Sequence, residues 1–475
     1  MPVVLREFGT MRSFPLGVCA LACSALFVAN ANAAVMTLNE ALSDAYDSNP
    51  QLGAERASLR ATDEGVAQAN AGWRPTINAQ GQYGVEHQQQ GALNVGGVNY
   101  GGDSNSRPLT GQVTVTQPIF RGGKTYAEIG RAKALVRQGR AQLLDTEQQV
   151  MLASVSAYMN VARDEATVKL EQNNVSVLQK QLDATQEQFK VGELTKTDVA
   201  QSQARLAGAQ AQLTIGRGQL AASRANFEQV IGRPAETLDD QPPFPKTPKS
   251  EDEAIEIAAK SSPVVLSAME SEKAADYAVD DALGSLAPQV SVQGEYQYQQ
   301  YGSGGGSSAL LGQSGTSHVA SVFGVVTVPI YQGGSEEASV RQAKELHGQT
   351  QMLVLNADRQ ARANAQAAWQ TYVSAQASIE SDKVQVTADT TALEGVRKEQ
   401  EVGARTVLDV LNAQQELLNA QVAVISAQRD AYVAAYQLLQ ATGQLTARYL
   451  ALNVKFYDET EHYDEDADKW IGLGN

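Results

Sequence analysis

The chain contains one long segment twice. The stretch TVTQPIFRGG at 114–123 returns as VVTVPIYQGG at 325–334, a shift of 211 residues. With the same shift, VGELTKTDV at 191–199 returns as VGARTVLDV at 402–410. A period of this length is too long for a solenoid and is typical of a duplicated domain. The sequence therefore predicts two copies of one large structural unit.

Both copies show the same order of patterns, which predicts a mainly α protein with a duplicated β-β-long α-short α repeat. The first repeat, 34–232, is expected to hold a helical stretch near 38–72, strands near 76–90 and 109–118, a Gly-rich loop at 88–108 and a helical hairpin near 124–230. The second, 251–443, is expected to hold a helical stretch at 251–284, strands near 289–300 and 318–328, a Gly-rich loop at 300–317 and a helical hairpin near 335–441. A proline-rich linker, 233–250, joins the repeats, and an acidic tail, 444–475, follows them.

The turn between the long and the short helix combines a helix stop with a helix start. Gly192 suits the left-handed residue that ends a helix. Thr195 and Asp198 then have the spacing of an N-cap and its partner. The second copy repeats this arrangement with Gly403, Thr406 and Asp409. Each turn is therefore predicted to be the tip of a helical hairpin.

Helix lengths set the expected height of the linker. At 1.5 Å per residue, 124–190 makes a helix of about 100 Å, and each shorter helix reaches about 50 Å. The chain is therefore expected to descend one long helix, climb halfway, and cross the linker at mid-height. Apolar residues seven apart along the long helices are typical of a coiled coil.

The strands alternate in a way that suits a membrane. In TINAQGQY at 76–83, Ile77, Ala79 and Tyr83 face one way and polar residues face the other. Strands of about ten residues with this pattern are typical of membrane β-barrels, although a soluble antiparallel sheet shows it too. Four strands cannot close a barrel, since the smallest have about eight, and open edges are not tolerated in hydrocarbon. If these strands enter a bilayer, several chains must share one barrel.

The N-terminus has the pattern of an export signal. Basic residues precede an apolar run at 15–29, and small residues at 31–33 offer a cleavage site. Removal of a signal peptide at 1–33 would take away Cys19 and Cys23, leaving no thiol for a disulfide or a metal site. Lipidation of Cys23 is the alternative.

Charge and motifs point away from nucleic acid and from catalysis. The formal net charge of −16 disfavours binding to nucleic acid. The motif FRGGKT at 120–125 is not a phosphate loop, because Pro118 stands where that loop needs a glycine. The four histidines show no metal-binding spacing. We therefore expect a protein that is not an enzyme and has no cofactor or metal.

Over about residues 36–455 the chain resembles the TolC family of outer-membrane channel proteins. The resemblance rests on the duplicated unit and on two pairs of motifs, QPIFRGG with VPIYQGG and VGELTKTDV with VGARTVLDV. The resemblance implies a homotrimer. Its three chains would form a twelve-stranded β-barrel in outer-membrane lipid, continued by a periplasmic α-helical barrel with a mixed α/β belt at mid-height.

The function implied by the resemblance is that of a passive exit duct in a tripartite efflux pump or a type I secretion system. The duct would dock on a periplasmic membrane-fusion (adaptor) protein and serve an inner-membrane ABC, RND or MFS pump. Its cargo would be drugs and other small molecules, or unfolded proteins. The alternative is a soluble periplasmic coiled-coil adaptor or scaffold, which would explain the helices but not the strands.

The resemblance also implies a periplasmic gate at the hairpin tips. Asp409 falls on an acidic constriction, whereas Asn412 occupies the next acidic position, so one ring of charge is expected to be lost. The hairpin tips that would dock the adaptor comprise Val191, Gly192, Leu194, Val402 and Gly403.

Four further residues fall on positions that link the gate. Arg405 and Gln400 match the linking positions, and Thr197 and Asp198 match their partners. An ion pair between Arg405 and Asp198 is therefore expected, with a weaker contact from Gln400. The alternative interpretation of Asp198 and Asp409 is that they only cap helix N-termini, which requires no gate.

Overall fold

The computed structural model describes residues 35–302 and 315–472. The predicted signal peptide, with Cys19 and Cys23, lies outside the described residues, as does most of the predicted loop at 300–317. The described chain is mainly helical and carries a single five-stranded sheet. Within these ranges, no helix has both the length and the apolar character needed to cross a membrane.

The elements follow the chain in two similar series. The first comprises α1 (Leu38–Ser48), α2 (Pro50–Asn70), β1 (Thr76–Tyr83), β2 (Glu86–Val95), β3 (Val98–Arg121), α3 (Lys124–Lys190) and α4 (Lys196–Ile231). The second comprises α5 (Glu251–Ser261), α6 (Pro263–Gly284), β4 (Gln289–Gly302), β5 (Gly315–Thr327), α7 (Ser335–Glu401) and α8 (Val407–Ala441), followed by the short α9 (Glu461–Asp466). The long helices α3 and α7 contain 67 residues each.

Proline divides each of the helical stretches predicted near 38–72 and 251–284 into two helices. Asn49 precedes Pro50 with extended dihedrals of φ −67° and ψ 122°. Ser262 precedes Pro263 with φ −62° and ψ 124°. The cause is steric, because the proline ring disfavours the helical conformation of the residue before it but fits the first position of the next helix.

The Gly-rich segment 88–108, expected to be a loop, is instead a β-hairpin. Strands β2 and β3 pair antiparallel up to the partners Val95 and Val98. The turn between them is Gly96-Gly97, with φ of 66° and 85°. Two successive residues with positive φ match the right-handed twist of a tight hairpin, and glycine adopts them without strain. The loop prediction for 88–108 is therefore wrong.

The sheet is four strands wide and has two unlike faces. Its order is β1-β3-β4-β5, with β2 pairing on β3 beyond the end of β1. One row of cross-strand partners runs Ile77, Val115, Gly294 and Val322. On the other face, Gln112 Nε2 donates to Glu295 Oε1 at 2.7 Å. The apolar face is open, and Val322 remains 75% exposed.

The main core lies around the middle of α3, where the linker crosses. The Tyr158 hydroxyl lies 2.8 Å from the carbonyl oxygen of Met36 and 3.0 Å from that of Asp239 in the linker. Tyr432 of α8 donates its hydroxyl to the carbonyl of Pro242 at 2.6 Å. Phe244 stacks on the Tyr432 ring at 4.1 Å. The linker is thereby fixed to helices from both halves of the chain.

Candidate functional site: the hairpin tips

The first hairpin tip is built by local backbone chemistry. Gly192 has φ of 85° and ends the turn after α3. The Thr195 backbone N–H donates to Asp198 Oδ2 at 2.9 Å, and the Asp198 N–H donates to Thr195 Oγ1 at 3.3 Å. This reciprocal capping box starts α4, as the sequence predicts.

The second tip repeats the first closely. Gly403 has φ of 78°. The Thr406 N–H donates to Asp409 Oδ2 at 2.9 Å, and the Asp409 N–H donates to Thr406 Oγ1 at 3.2 Å. Hydrogen bonds from Thr406 lower the pKa of Asp409, just as those from Thr195 lower the pKa of Asp198. Both carboxylates are therefore ionised at neutral pH, and both predicted capping boxes are confirmed.

An apolar cluster, here called the tip cluster, brings the two tips together. Its buried members are Leu178, Leu182, Leu206, Val407 and Leu411, and Leu194 packs against it. Leu178 and Leu182 belong to α3 and Leu206 to α4, whereas Val407 and Leu411 open α8. The start of α8 therefore rests on the first hairpin, and the two tips end side by side.

A polar contact supports the tip cluster. Arg205 of α4 donates from Nη2 to Asn412 Oδ1 of α8 at 2.7 Å. The sequence predicted only that Asn412 replaces an acidic residue of the constriction, which would remove one negative charge per chain. Within the chain, Asn412 also links the two hairpins. Arg205 was missed by the sequence reasoning. Its one signal is that it follows Asp198 by seven residues and thus lies on the same helix face.

Arg405 pairs with Glu399, not with Asp198. Its Nε donates to Glu399 Oε2 at 2.9 Å, and both side chains are 52% exposed. Hydrogen bonding to Glu399, with a smaller contribution from the Asp409 charge, raises the pKa of Arg405. Asp198 is already occupied, since Thr195 also donates its hydroxyl to it at 2.7 Å. The expected Arg405–Asp198 pair is therefore not formed within this chain.

The remaining predicted residues contribute differently to the tips. Gln400 is half-buried, and its backbone carbonyl accepts from the Gly403 N–H at 2.9 Å, which shapes the turn. Thr197 is exposed in the first turn of α4. Val191 and Val402 are 73% and 79% exposed at the extreme ends. The tips therefore present two apolar side chains that their own chain leaves uncovered.

Beside the strands, FRGGKT forms the turn that starts α3. Gly122 and Gly123 have φ of 65° and 89°. Lys124 Nζ lies 3.1 Å from Ser285 Oγ and 3.6 Å from Asp281 Oδ1, so it is engaged with the end of α6. The glycines allow this close approach, because a side chain on Gly122 would overlap the carbonyl of Gly284.

A cluster that the sequence did not suggest joins the tail to α2. Glu64, His462 and Asp466 present ligand atoms within 4.8 Å of one another, a spacing that a metal ion could use. Lys469 Nζ, however, lies 2.5 Å from Asp466 Oδ1. This ammonium group already balances one carboxylate, so the cluster is explained as an ion network.

Nearly the whole chain has counterparts among known proteins. It matches the family model "Outer membrane efflux protein" over residues 41–233 and 254–444. It is 33% identical over 438 residues to the outer membrane efflux protein BepC of Brucella suis, covering 92% of each chain. It is 24% identical over 414 residues to the outer membrane protein TolC of Vibrio cholerae, covering 86% of this chain and 91% of that one. Its fold is similar to the crystal structure of VceC from Vibrio cholerae, with a TM-score of 0.70 and 19% identity over 86% of this chain and 96% of that chain.

Proposed function

The chain belongs to the outer membrane efflux protein family, and we propose that its sheet and hairpins build an exit duct. The protein is an outer-membrane exit duct with a large periplasmic extension, serving efflux or type I secretion. Its relatives are channels rather than enzymes.

The observation that carries the proposed assembly is the open sheet. Strands β1 and β5 are its edges, and no strand of the described chain pairs with the outer side of β5. An apolar face suits lipid, but unpaired backbone groups at an edge are not tolerated there. Each edge is therefore completed by a neighbouring copy. Three copies of a sheet four strands wide give the twelve-stranded barrel of a homotrimer.

The same assembly gives the helices their role. With the sheets closed into a barrel, the helices below continue as a hollow cylinder into the periplasm. The linker and the tail form the belt around its middle, because both pack into the core at the midpoint of α3. The exposed Val191 and Val402 at the tips are the contact for a periplasmic adaptor protein, which couples the duct to an inner-membrane pump.

The function is tested by removing the gene and restoring it on a plasmid. The deletion strain should become more sensitive to amphiphilic drugs or lose secreted proteins, and the plasmid should restore whichever is lost. The two phenotypes distinguish efflux from secretion. Two further results would refute the duct and favour the soluble scaffold. The protein would be extracted from the membrane fraction without detergent, and the purified protein would open no channel in a lipid bilayer.

The proposed gate consists of Thr197, Asp198, Gln400, Arg405, Asp409 and Asn412. Asp409 supplies a ring of negative charge at the narrow end, which favours cations. Arg405 restrains the second tip through its ion pair with Glu399. Loss of Arg405 should therefore loosen the tip and widen the passage.

Single-channel conductance in a lipid bilayer tests this gate. Arg405→Ala should conduct more than the unmodified protein. The matched control is Arg362→Ala, which removes an exposed arginine that pairs with Asp358 at 2.9 Å but lies far from the tips. Glu399→Gln and Asp198→Asn identify the partner, since only the variant that frees Arg405 should reproduce the increase. Equal conductance of the Arg405→Ala and Arg362→Ala variants would remove Arg405 from the gate.

A further inference from the structure

The end of the acidic tail, residues 457–471, here called the C-terminal strap, is fixed to the protein from near the end of α1 to the end of α2. At its start, the Tyr457 N–H donates to the hydroxyl of Tyr46 at 3.1 Å. Near its end, Asn70 Nδ2 donates to the carbonyl of Ala467 at 2.8 Å. The strap therefore rises from the core at mid-height to the last turn of α2.

Side-chain contacts hold the middle of the strap. His462 lies between two carboxylates, with Nε2 3.4 Å from Glu64 Oε1 and Nδ1 3.3 Å from Asp466 Oδ2. The Arg140 guanidinium lies over the ring of Tyr463, 5.7 Å from its centroid. A six-residue helix such as α9 is unstable alone, so these contacts are what keep it formed.

The strap ends beside the first membrane strand. Arg74 donates from Nη1 to the carbonyl of Lys469 at 2.5 Å and from Nη2 to that of Asp468 at 3.2 Å. Pro75 follows Arg74, and β1 begins at Thr76. The last described turn of the tail is therefore level with the periplasmic end of the sheet.

At that level the strap displays two large apolar side chains to solvent. Trp470 lies over the Arg74 guanidinium at 4.9 Å, and it is still 68% exposed. Ile471 is 93% exposed. Arg74 holds the carbonyls of Asp468 and Lys469, the two residues before Trp470, and this places the Trp470 ring beside Arg74.

The chemistry of this position fits the surface of a bilayer. Tryptophan favours the boundary between lipid headgroups and acyl chains, where its ring is partly apolar and its N–H stays wet. Basic side chains close to a membrane are attracted to lipid phosphates, and Arg74, which lies beside Trp470, hydrogen-bonds to neutral backbone carbonyls. On the nearby start of α3, Tyr126 is 69% exposed and packs edge-on against Trp73 at 4.9 Å.

We propose that Trp470 and Ile471 insert into the periplasmic leaflet of the outer membrane, so that the C-terminal strap anchors the belt of the periplasmic extension to the lipid surface. This rests on the outer-membrane placement of the sheet. The strap fixes the distance between the core at mid-height and the bilayer, because it is bound to Tyr46 near the end of α1 and to Asn70 at the end of α2.

Tryptophan fluorescence in proteoliposomes that contain brominated lipids tests the anchor. The chain has 3 tryptophans, at positions 73, 369 and 470, so Trp73→Phe with Trp369→Phe leaves Trp470 alone. Bromine on the upper acyl carbons should quench this emission strongly compared with the same protein in unbrominated lipid. The matched negative control keeps only Trp369, which is half-buried in the middle of α7, about 50 Å below its start.

A positive control separates failure of the anchor from failure of the membrane placement. Val322→Trp, in a chain whose three native tryptophans are replaced by phenylalanine, reports the apolar face of the sheet. If Val322→Trp is quenched and Trp470 behaves like Trp369, the anchor is overturned and the strap faces water or a neighbouring chain. If Val322→Trp is also unquenched, the sheet itself is not in the bilayer, and the anchor falls with it.

Discussion

Glu171 is a carboxylic acid buried inside the hairpin of α3 and α4. Only 6% of it is exposed, and its Oε2 has no hydrogen-bond partner. It fits because residue 216 is glycine, and a methyl group there would overlap Oε2. Burial raises the pKa of Glu171, opposed by a weaker hydrogen bond from Gln212. The folded protein therefore keeps the proton on Glu171 to a higher pH than the unfolded chain does.

The raised pKa predicts a pH-dependent penalty that Glu171→Gln removes. For an acid whose pKa is higher in the folded state, folding is most favoured below the unfolded value of about 4.3 and loses stability as pH rises through the folded value. The free energy of unfolding of the variant should therefore exceed that of the native protein increasingly as the pH rises above about 4.3, by on the order of 1 kcal/mol.

Denaturant unfolding in detergent at several pH values measures this gain. Glu193→Gln is the control, because Glu193 is exposed at the first tip. A difference between Glu171→Gln and the native protein that stays constant with pH would contradict a buried, ionisable Glu171.

The hairpin tips show which contacts between residues can be predicted from a sequence. The partners of Thr195 and Thr406 were predictable, because a capping box is defined by three-residue spacing. The partner of Arg405 was not, since Glu399 lies on the other side of a turn whose side-chain directions depend on packing. Arg205 and Asn412 are 207 residues apart, and only the tip cluster brings them together.

Among the elements, the end of α8 rests against the break between α5 and α6. Gly443 has φ of 75° and ends α8, and the Gln444 N–H returns to the Leu439 carbonyl at 2.8 Å. A Cβ on Gly443 would overlap the backbone carbonyl of Ser261. The kink before Pro263 and the end of α8 are thus fitted to each other. Gly403 has a similar φ of 78° but open space around it.

Comparing alanine substitutions at Gly403 and Gly443 distinguishes the cost of backbone strain from the cost of a steric clash. Gly403→Ala should cost about 1–2 kcal/mol, the usual cost of a left-handed conformation for a residue with a Cβ. Gly443→Ala carries the same strain and must also displace a backbone carbonyl, so its unfolding midpoint should fall clearly further. The measurement is thermal unfolding of the two variants side by side. Equal midpoints would show that α8 and Ser261 can separate without cost.

Element types were more predictable than their interruptions. The mainly helical architecture with a sheet followed from periodicity and composition. The break at Asn49 was missed because both sides of Pro50 continue one helical pattern. The β2–β3 hairpin was missed because a segment rich in glycine is typical of a loop. Whether it forms strands depends on the pairing of β2 with β3, which the local sequence pattern does not reveal.

For the whole molecule, the linker is the joint between the two halves of the chain. The Tyr158 hydroxyl binds it from α3 and the Tyr432 hydroxyl binds it from α8, both through backbone carbonyls. Leu238 of the linker is buried in the same core as the tail residues Leu445 and Leu452. One small region therefore holds α3, α8, the linker and the tail in register at the midpoint of α3.

Removing both hydroxyl groups should release the linker while leaving the helices folded. In Tyr158→Phe with Tyr432→Phe, each lost hydrogen bond costs about 1 kcal/mol, so the open state of the linker should become about 30-fold more populated. Trypsin can then cut after Lys246 and Lys249, which lie in the linker. When opening is fast, the cleavage rate follows the open population and should rise by the same factor. Tyr126→Phe, which alters an exposed hydroxyl far from the linker, should leave the rate unchanged. If the double variant is cut no faster than this control, apolar packing of Leu238 and Phe244 alone joins the two halves.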